Sequence, residues 1–209
     1  MHSQETITSQ SSVSVSQSHF SPAEVKELNK AFLKAVGELD TLLIHKWVKD
    51  LSGRPILNAE HVQSALLALA SMREPKKARF KREAEDFRVL AVSVILDHGV
   101  TNLECTDDVY EMTPLIFAAC CGREAIVKLL IEKGASLQAK DGKLGRTALS
   151  WAARNNFPTT AQILFNALAE RQDQQTGQFE DIDGWTALDL ARQNGYRRIV
   201  ELLSPRQQT

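Results

Sequence analysis

The sequence predicts an all-α fold, a solenoid of stacked helix-turn-helix units with short hairpin-like finger loops. Three observations carry that prediction. The stretch TPLIFAACCG at 113–122 returns in phase as TALSWAARNN at 147–156 and as TALDLARQNG at 186–195. Each copy is followed by a second apolar block: IVKLLIEKGA, TAQILFNALA and RRIVELLSPR in turn. Long alternating β-branched runs, the mark of strands, are absent; short helical segments recur instead between Gly, Asp and Lys.

Each part of the repeated unit has a physical reason. Thr113 can cap a short helix, and Pro114 suits its first turn. Leu115, Ala118 and Ala119 form one narrow apolar stripe, small enough for helices to approach closely. Gly122 breaks the chain into a tight turn. Val127, Leu129 and Leu130 supply the buried face of a second helix, and Gly134 stands where a left-handed cap ends it. No single unit can bury its own apolar surface, so the units must stack. Weaker copies lie upstream: SALLALAS at 64–71 pairs with VSVILDHGV at 92–100, and KAFLKAV at 30–36 pairs with LIHKWV at 43–48. The anchors Lys30, Ser64, Thr113, Thr147 and Thr186 stand 34, 49, 34 and 39 residues apart, a period of about 33 with loop insertions.

The chain therefore divides as follows. Residues 1–19 are a Ser/Gln-rich tail expected to be disordered, because they hold too little apolar surface to offset the entropy of ordering. Order is expected to begin at FSPAEV, where Ser21, Pro22 and Glu24 suit a capped helix start and Phe20 and Val25 a hydrophobic staple. Residues 20–107 hold two degenerate units with a charged insertion at about 71–86. Residues 108–204 hold three repeats, and 205–209 form a C-terminal tail.

Residues 108–135 carry Asp108, Thr113, Pro114, Leu115, Ala118, Ala119, Gly122, Val127, Leu129, Leu130, Gly134 and Ala135 at fixed offsets. Residues 145–164 repeat Gly145, Thr147, Leu149, Ala152, Ala153 and Leu164, and residues 181–203 repeat Asp181, Gly184, Thr186, Leu188, Ala191, Gly195, Val200, Leu202 and Leu203. This pattern resembles the ankyrin repeat. The resemblance implies non-catalytic protein binding, by a scaffold, adaptor or regulator, through a concave face and a row of finger loops. There are departures. The His that often follows the T-P-L triplet is replaced by Leu67, Ile116, Ser150 and Asp189, so the family's Thr–His hydrogen bonds are expected to be lost. Glu111 replaces a finger Gly and Asn156 a turn Gly, and distortion is expected at both.

By the family pattern the exposed finger positions are Val109, Tyr110 and Met112; Lys143, Leu144 and Arg146; and Ile182, Asp183 and Trp185. Tyr110, Met112, Leu144 and Trp185 are apolar where a plain loop would be polar, and Trp and Tyr are frequent interface anchors. The concave face is expected to carry Cys120 and Cys121, with Arg154 and Asn155, then Arg192 and Gln193, at the equivalent positions. Tyr110, Met112 and Trp185 would supply buried area, and Arg146, Arg154 and Arg192 polar recognition, which favours an acidic or mixed partner. Trp151 matches Phe117 and Leu190 and is expected in the core.

The adjacent Cys120 and Cys121 could also be read as chemistry. A zinc site needs further ligands at suitable spacing, and no C-x-x-C or His pair lies nearby. A catalytic thiol needs a paired His, and His2, His19, His45, His61 and His98 are all upstream and outside any shared motif. No catalytic residue, cofactor or metal is expected, and an enzyme or a secreted effector using these thiols is the lesser alternative. The other rival is a nuclear or nucleic-acid-associated regulator acting through Arg73, Lys76, Lys77, Arg79, Lys81 and Arg82, a basic cluster that a nuclear-import receptor could read. The acidic run Glu83, Glu85 and Asp86 cancels much of that field, and the simpler reading is a solvated helix extension. The Gln/Asp-rich insertion at 169–183 reads as a floppy loop or a partner-specific elaboration.

Overall composition agrees with this reading. The chain has 209 residues, 25 basic against 26 acidic, and a net charge of −1, which gives no global pull toward nucleic acid or anionic membrane. Three cysteines are too few for a disulfide framework and suit a reducing compartment. No signal peptide is expected, nor an apolar run of about 18 residues that could span a membrane. The expectation is an intracellular monomer, cytoplasmic or nuclear, or in a host cytosol if it is a secreted effector.

Overall fold

The computed structural model describes residues 59–71, 81–97, 102–171 and 179–204. Sequence expectations for the 1–19 tail, the helix start at Ser21, the unit at 30–48, residues 72–80 of the basic insertion, loop residues 172–178 and the tail from 205 lie outside them.

Among the described residues the chain forms helices and no strand. The helices are α1 (Ala59–Ser71), α2 (Lys81–Asp97), α3 (Pro114–Cys120), α4 (Glu124–Glu132), α5 (Ala148–Arg154), α6 (Pro158–Glu170), α7 (Ala187–Gln193) and α8 (Arg197–Leu203). They form antiparallel pairs stacked into two layers. The inner layer runs α1, α3, α5, α7 and the outer layer α2, α4, α6, α8, each helix packing on its neighbours in the same layer. None is long and apolar enough to cross a membrane.

The short inner helices begin where the sequence says they should. Thr113, Thr147 and Thr186 have extended backbone, and their side chains accept from the N–H of Ile116, Ser150 and Asp189. Each such bond satisfies one of the donors a helix start leaves open. The expected loss of the Thr–His contact is made good in two repeats by other residues. Ser150 Oγ lies 3.1 Å from Thr147 Oγ1. The Asp189 carboxylate accepts from Thr186 Oγ1 at 2.6 Å and from the Thr186 N–H at 3.1 Å, completing a capping box.

The inner helices end in one repeated motif. The amides of Arg123, Phe157 and Tyr196 donate back to the carbonyls of Ala118, Ala152 and Ala191 at 2.8, 3.0 and 3.0 Å. The motif needs a left-handed residue just before that amide. Gly122 (φ 68°) and Gly195 (φ 73°) supply it, and so does Asn156 (φ 61°). The expected distortion at Asn156 does not occur. The Asn156 backbone adopts the glycine-like left-handed conformation, which Asn tolerates better than most residues.

The core lies between the layers. Leu115, Ala118 and Ala119 are buried beside Leu149, Ala152 and Ala153, then Ala187, Leu190 and Ala191. The paired alanines let the inner helices approach closely. From the outer side come Ile126, Val127 and Leu130, then Ala161, Leu164 and Leu168, then Ile199 and Leu203. In α1, Ala65, Leu66, Leu69 and Ala70 continue the inner stripe, and Val92, Ile95 and Leu96 of α2 continue the outer one.

The two insertions are partly helical. The last residues of the first, from Lys81, begin α2, and its Glu85 Oε2 sits 2.9 Å from both Arg88 Nη1 and Arg123 Nη1. Glu85 thus pairs both within its own helix and across to the next repeat. The second insertion lengthens α6, which carries Arg171 to the Ala135 and Ile131 carbonyls at 2.9 and 3.0 Å. One of those carbonyls belongs to the last turn of α4, where an arginine is favoured.

Candidate functional site

Three finger loops precede the inner helices, and each is folded around one carboxylate. Asp107 Oδ2 accepts from the N–H of Val109 and Tyr110 at 3.0 and 3.1 Å, and Oδ1 from Met112 N–H at 2.8 Å. Asp141 Oδ1 accepts from Lys143 and Leu144 N–H at 3.0 and 2.6 Å. Its Oδ2 accepts from Arg146 N–H at 3.2 Å and Trp151 Nε1 at 2.8 Å. Asp181 Oδ1 accepts from Asp183 and Trp185 N–H at 3.0 and 2.9 Å, and Oδ2 from Arg146 Nε at 2.9 Å.

These bonds favour the ionised form of Asp107 and Asp181. Burial acting alone raises the Asp107 carboxyl, but the Met112, Tyr110 and Val109 amides outweigh it and bring it below its ordinary value. For Asp181 burial is likewise overcome, by the Trp185 amide, the Arg146 guanidinium and the Asp183 amide. The residue that holds the first finger is thus Asp107 and not Asp108, which the repeat pattern had placed there. Both Asp107 and Asp141 lie six residues before their Thr, while Asp181 lies five before, so the third finger is one residue shorter.

The fingers are also joined to one another. The Gly142 amide donates to the Tyr110 carbonyl at 3.1 Å, and the Ile182 amide to the Leu144 carbonyl at 3.0 Å. Lys140 Nζ reaches the Glu180 carbonyl at 2.7 Å. In the first finger Glu111 takes φ 53°, as Gly145 takes 63° and Gly184 78°. The Glu111 substitution is therefore absorbed as strain, and the finger keeps its shape. The Glu111 side chain lies across the space where Gly142 lacks a Cβ.

The finger residues do not share one fate. Val109, Tyr110, Ile182 and Trp185 are exposed, at 59, 46, 67 and 38 %. Lys143 is exposed, with Nζ 4.4 Å from the centre of the Tyr110 ring. Asp183 is exposed and Leu144 half-buried. Two expectations are overturned. Met112 is 5 % exposed and joins the hydrophobic core. Arg146 is 7 % exposed, ion-paired with Asp181 and stacked 5.4 Å over the Trp151 ring. The residue just before the Thr turns inward wherever another finger stacks over it; Trp185, in the last described finger, stays exposed. Trp151 also differs from expectation. It is half-buried, with one edge packed on the core and its indole N–H bonded to Asp141.

At the ends of the inner helices, Cys120, Cys121 and Asn155 are half-buried, while Arg154, Arg192 and Gln193 are exposed. Asn155 Nδ2 donates to the Cys120 carbonyl at 2.9 Å and to its Sγ at 3.3 Å, linking successive repeats. The hydrogen bond to Cys121, then burial, push the Cys120 thiol far above its ordinary range, so it stays protonated. That removes support from Cys120 as a nucleophile. Burial also raises the Cys105 thiol. Arg154 sits 5.9 Å from the Trp151 ring, on which Arg146 also stacks. Arg192 pairs loosely with Asp189 at 3.8 Å. Among the described residues no group of three or more His, Cys, Asp or Glu is placed to hold a metal ion.

A family model for ankyrin repeats (3 copies) matches residues 83–141 and 137–208. Over 59 residues the chain is 46 % identical to Transient receptor potential cation channel subfamily V member 5 of Mus musculus and of Rattus norvegicus, and to subfamily V member 6 of Rattus norvegicus. That stretch is 28 % of this chain and 8 % of each channel, so the chain spans less than a tenth of the length of these relatives.

Proposed function

This chain belongs to the ankyrin-repeat family, whose members are generally protein–protein interaction modules and typically non-catalytic, and we propose that it works as a scaffold, adaptor or regulator that binds a partner protein through its finger row and concave face. One observation carries the reading. Apolar side chains that water would normally exclude, Val109, Tyr110, Ile182 and Trp185, stand exposed on loops whose backbone is hydrogen-bonded to buried or half-buried carboxylates and to the next loop. Exposed aromatic anchors on a rigid backbone lose little conformational freedom on docking, which favours binding. The module works inside the cell, in cytoplasm or nucleus, a placement supported by its few cysteines.

The test is a pull-down with wild type and the Tyr110→Ala/Trp185→Ala variant at matched folding. Proteins recovered by wild type and lost by the variant support the finger row. A partner retained equally by both removes it.

A further inference from the structure

The charge of the finger row points to the chemistry of what it binds. Residues 107–112, 141–146 and 181–185 contain six carboxylates and two cations. Arg146 is buried against Asp181, which leaves Lys143 as the exposed cation of these loops. Asp107 and Asp181 are held ionised by their bonds, and Asp108, Glu111 and Asp183 face solvent. The apolar tips Val109, Tyr110, Ile182 and Trp185 therefore stand in a negative field. An acidic partner would be repelled there, and so would a nucleic-acid backbone. At the finger tips this departs from the acidic or mixed partner that Arg146, Arg154 and Arg192 suggested in the sequence, since Arg146 is buried while Arg154 and Arg192 stand exposed on the inner helices.

We propose that the finger row takes an extended protein segment in which Lys or Arg residues alternate with large apolar ones; this rests on the finger-row reading above. Spacing sharpens the motif. Stacked helices lie about 8–10 Å apart, so neighbouring fingers recur at about that interval. The exposed apolar tips stand on the first and third fingers, two intervals apart, and an extended chain advances about 3.3 Å per residue, so its apolar anchors fall about five to six residues apart, with basic residues beside them meeting Asp108, Glu111 and Asp183. Exposed ion pairs are each worth little, so each carboxylate contributes about a two- to fivefold gain in affinity, and added salt reduces it.

A phage-displayed library of random 12-residue peptides, selected on the full chain, tests this. The selected peptides are synthesised and titrated by fluorescence anisotropy against wild type, Asp108→Asn/Glu111→Gln/Asp183→Asn and Tyr110→Ala/Trp185→Ala, each confirmed folded by circular dichroism. The expected result is net-positive peptides with apolar residues about five to six apart, weakened about tenfold or more by the triple neutral variant and weakened by salt. Selected peptides that are acidic or neutral, or that bind the triple variant within twofold of wild type, overturn the inference. If such peptides still fail on Tyr110→Ala/Trp185→Ala, the finger-row reading survives and only the charge argument falls. If they bind that variant as well as wild type, both fall. A library that yields no peptide binder overturns the inference as well.

Discussion

Removing the Asp181 carboxylate should unlock the second finger from the third. Asp181 Oδ2 holds Arg146 Nε at 2.9 Å across 35 residues of sequence, with the two side chains 0 and 8 % exposed. Asp181→Ala leaves the guanidinium buried without its counter-charge, and breaking one half of a buried pair costs about 3–5 kcal/mol. The Asp183 and Trp185 amides also lose their acceptor, but they lie at an exposed loop where water replaces it, so they add little. A loss of about 4 kcal/mol is a large share of the 5–15 kcal/mol that stabilises a typical domain. Arg146→Met removes the stranded charge while keeping apolar bulk against Trp151. The double variant should therefore be more stable than the sum of the two single losses implies, with a coupling of about 2 kcal/mol or more. Urea unfolding followed by circular dichroism on the full chain reads all four corners of the cycle. If the Asp181→Ala loss stays under about 1 kcal/mol and adds to that of Arg146→Met, the pair behaves as a surface ion pair and the locked-finger argument fails.

Three further outcomes follow from the same geometry. The Asp107 and Asp181 carboxyls lie below the ordinary value of 3.8 in the folded state, so their stabilisation is complete above that value and is lost as pH falls through the folded pKa; the urea midpoint should drop on acidification through that window, and less steeply in Asp181→Asn. Glu111→Gly relieves a left-handed conformation that costs a side-chain-bearing residue about 1–2 kcal/mol, partly offset by about 0.4–1 kcal/mol of unfolded-chain entropy, so the melting temperature should rise slightly, and a fall would show that the Glu111 side chain contributes more than its backbone costs. Gly122→Ala combines φ 68° with a new Cβ 2.4 Å from the Phe157 ring, so thermal unfolding should show a loss of about 2–4 kcal/mol, and a neutral result would mean that the turn relaxes freely.

The sequence carried the repeat and most of its local chemistry. Thr113, Thr147 and Thr186 announce the inner helices because a helix start needs a side-chain acceptor, and the alanine pairs announce close packing because nothing larger fits. What it hid was the direction of side chains next to one another in a loop. Met112 and Arg146 sit in loops that also carry exposed residues, and only the stacking of the next finger decides that they turn inward. Loops have no period like the 3.6 of a helix from which facing can be read. Arg146 carried a signal, since Asp181 stands at the matching place one repeat later, but a buried pair across 35 residues becomes legible only once the repeats are superposed. The first finger hid its carboxylate because Asp107 and Asp108 are adjacent; the six-residue spacing shared with Asp141 was the clue. Asn156 and Glu111 look like breaks in the pattern, yet the surrounding hydrogen bonds hold them in the glycine conformation.

The most direct test of the account is a hydrogen-exchange footprint of the full chain with and without a bound partner or selected peptide. The account predicts that added protection falls on fingers 107–112, 141–146 and 181–185 and on the ends of α3, α5 and α7 that carry Cys121, Arg154 and Arg192. Protection confined to the outer helices α2, α4, α6 and α8, with the fingers unchanged, would contradict it.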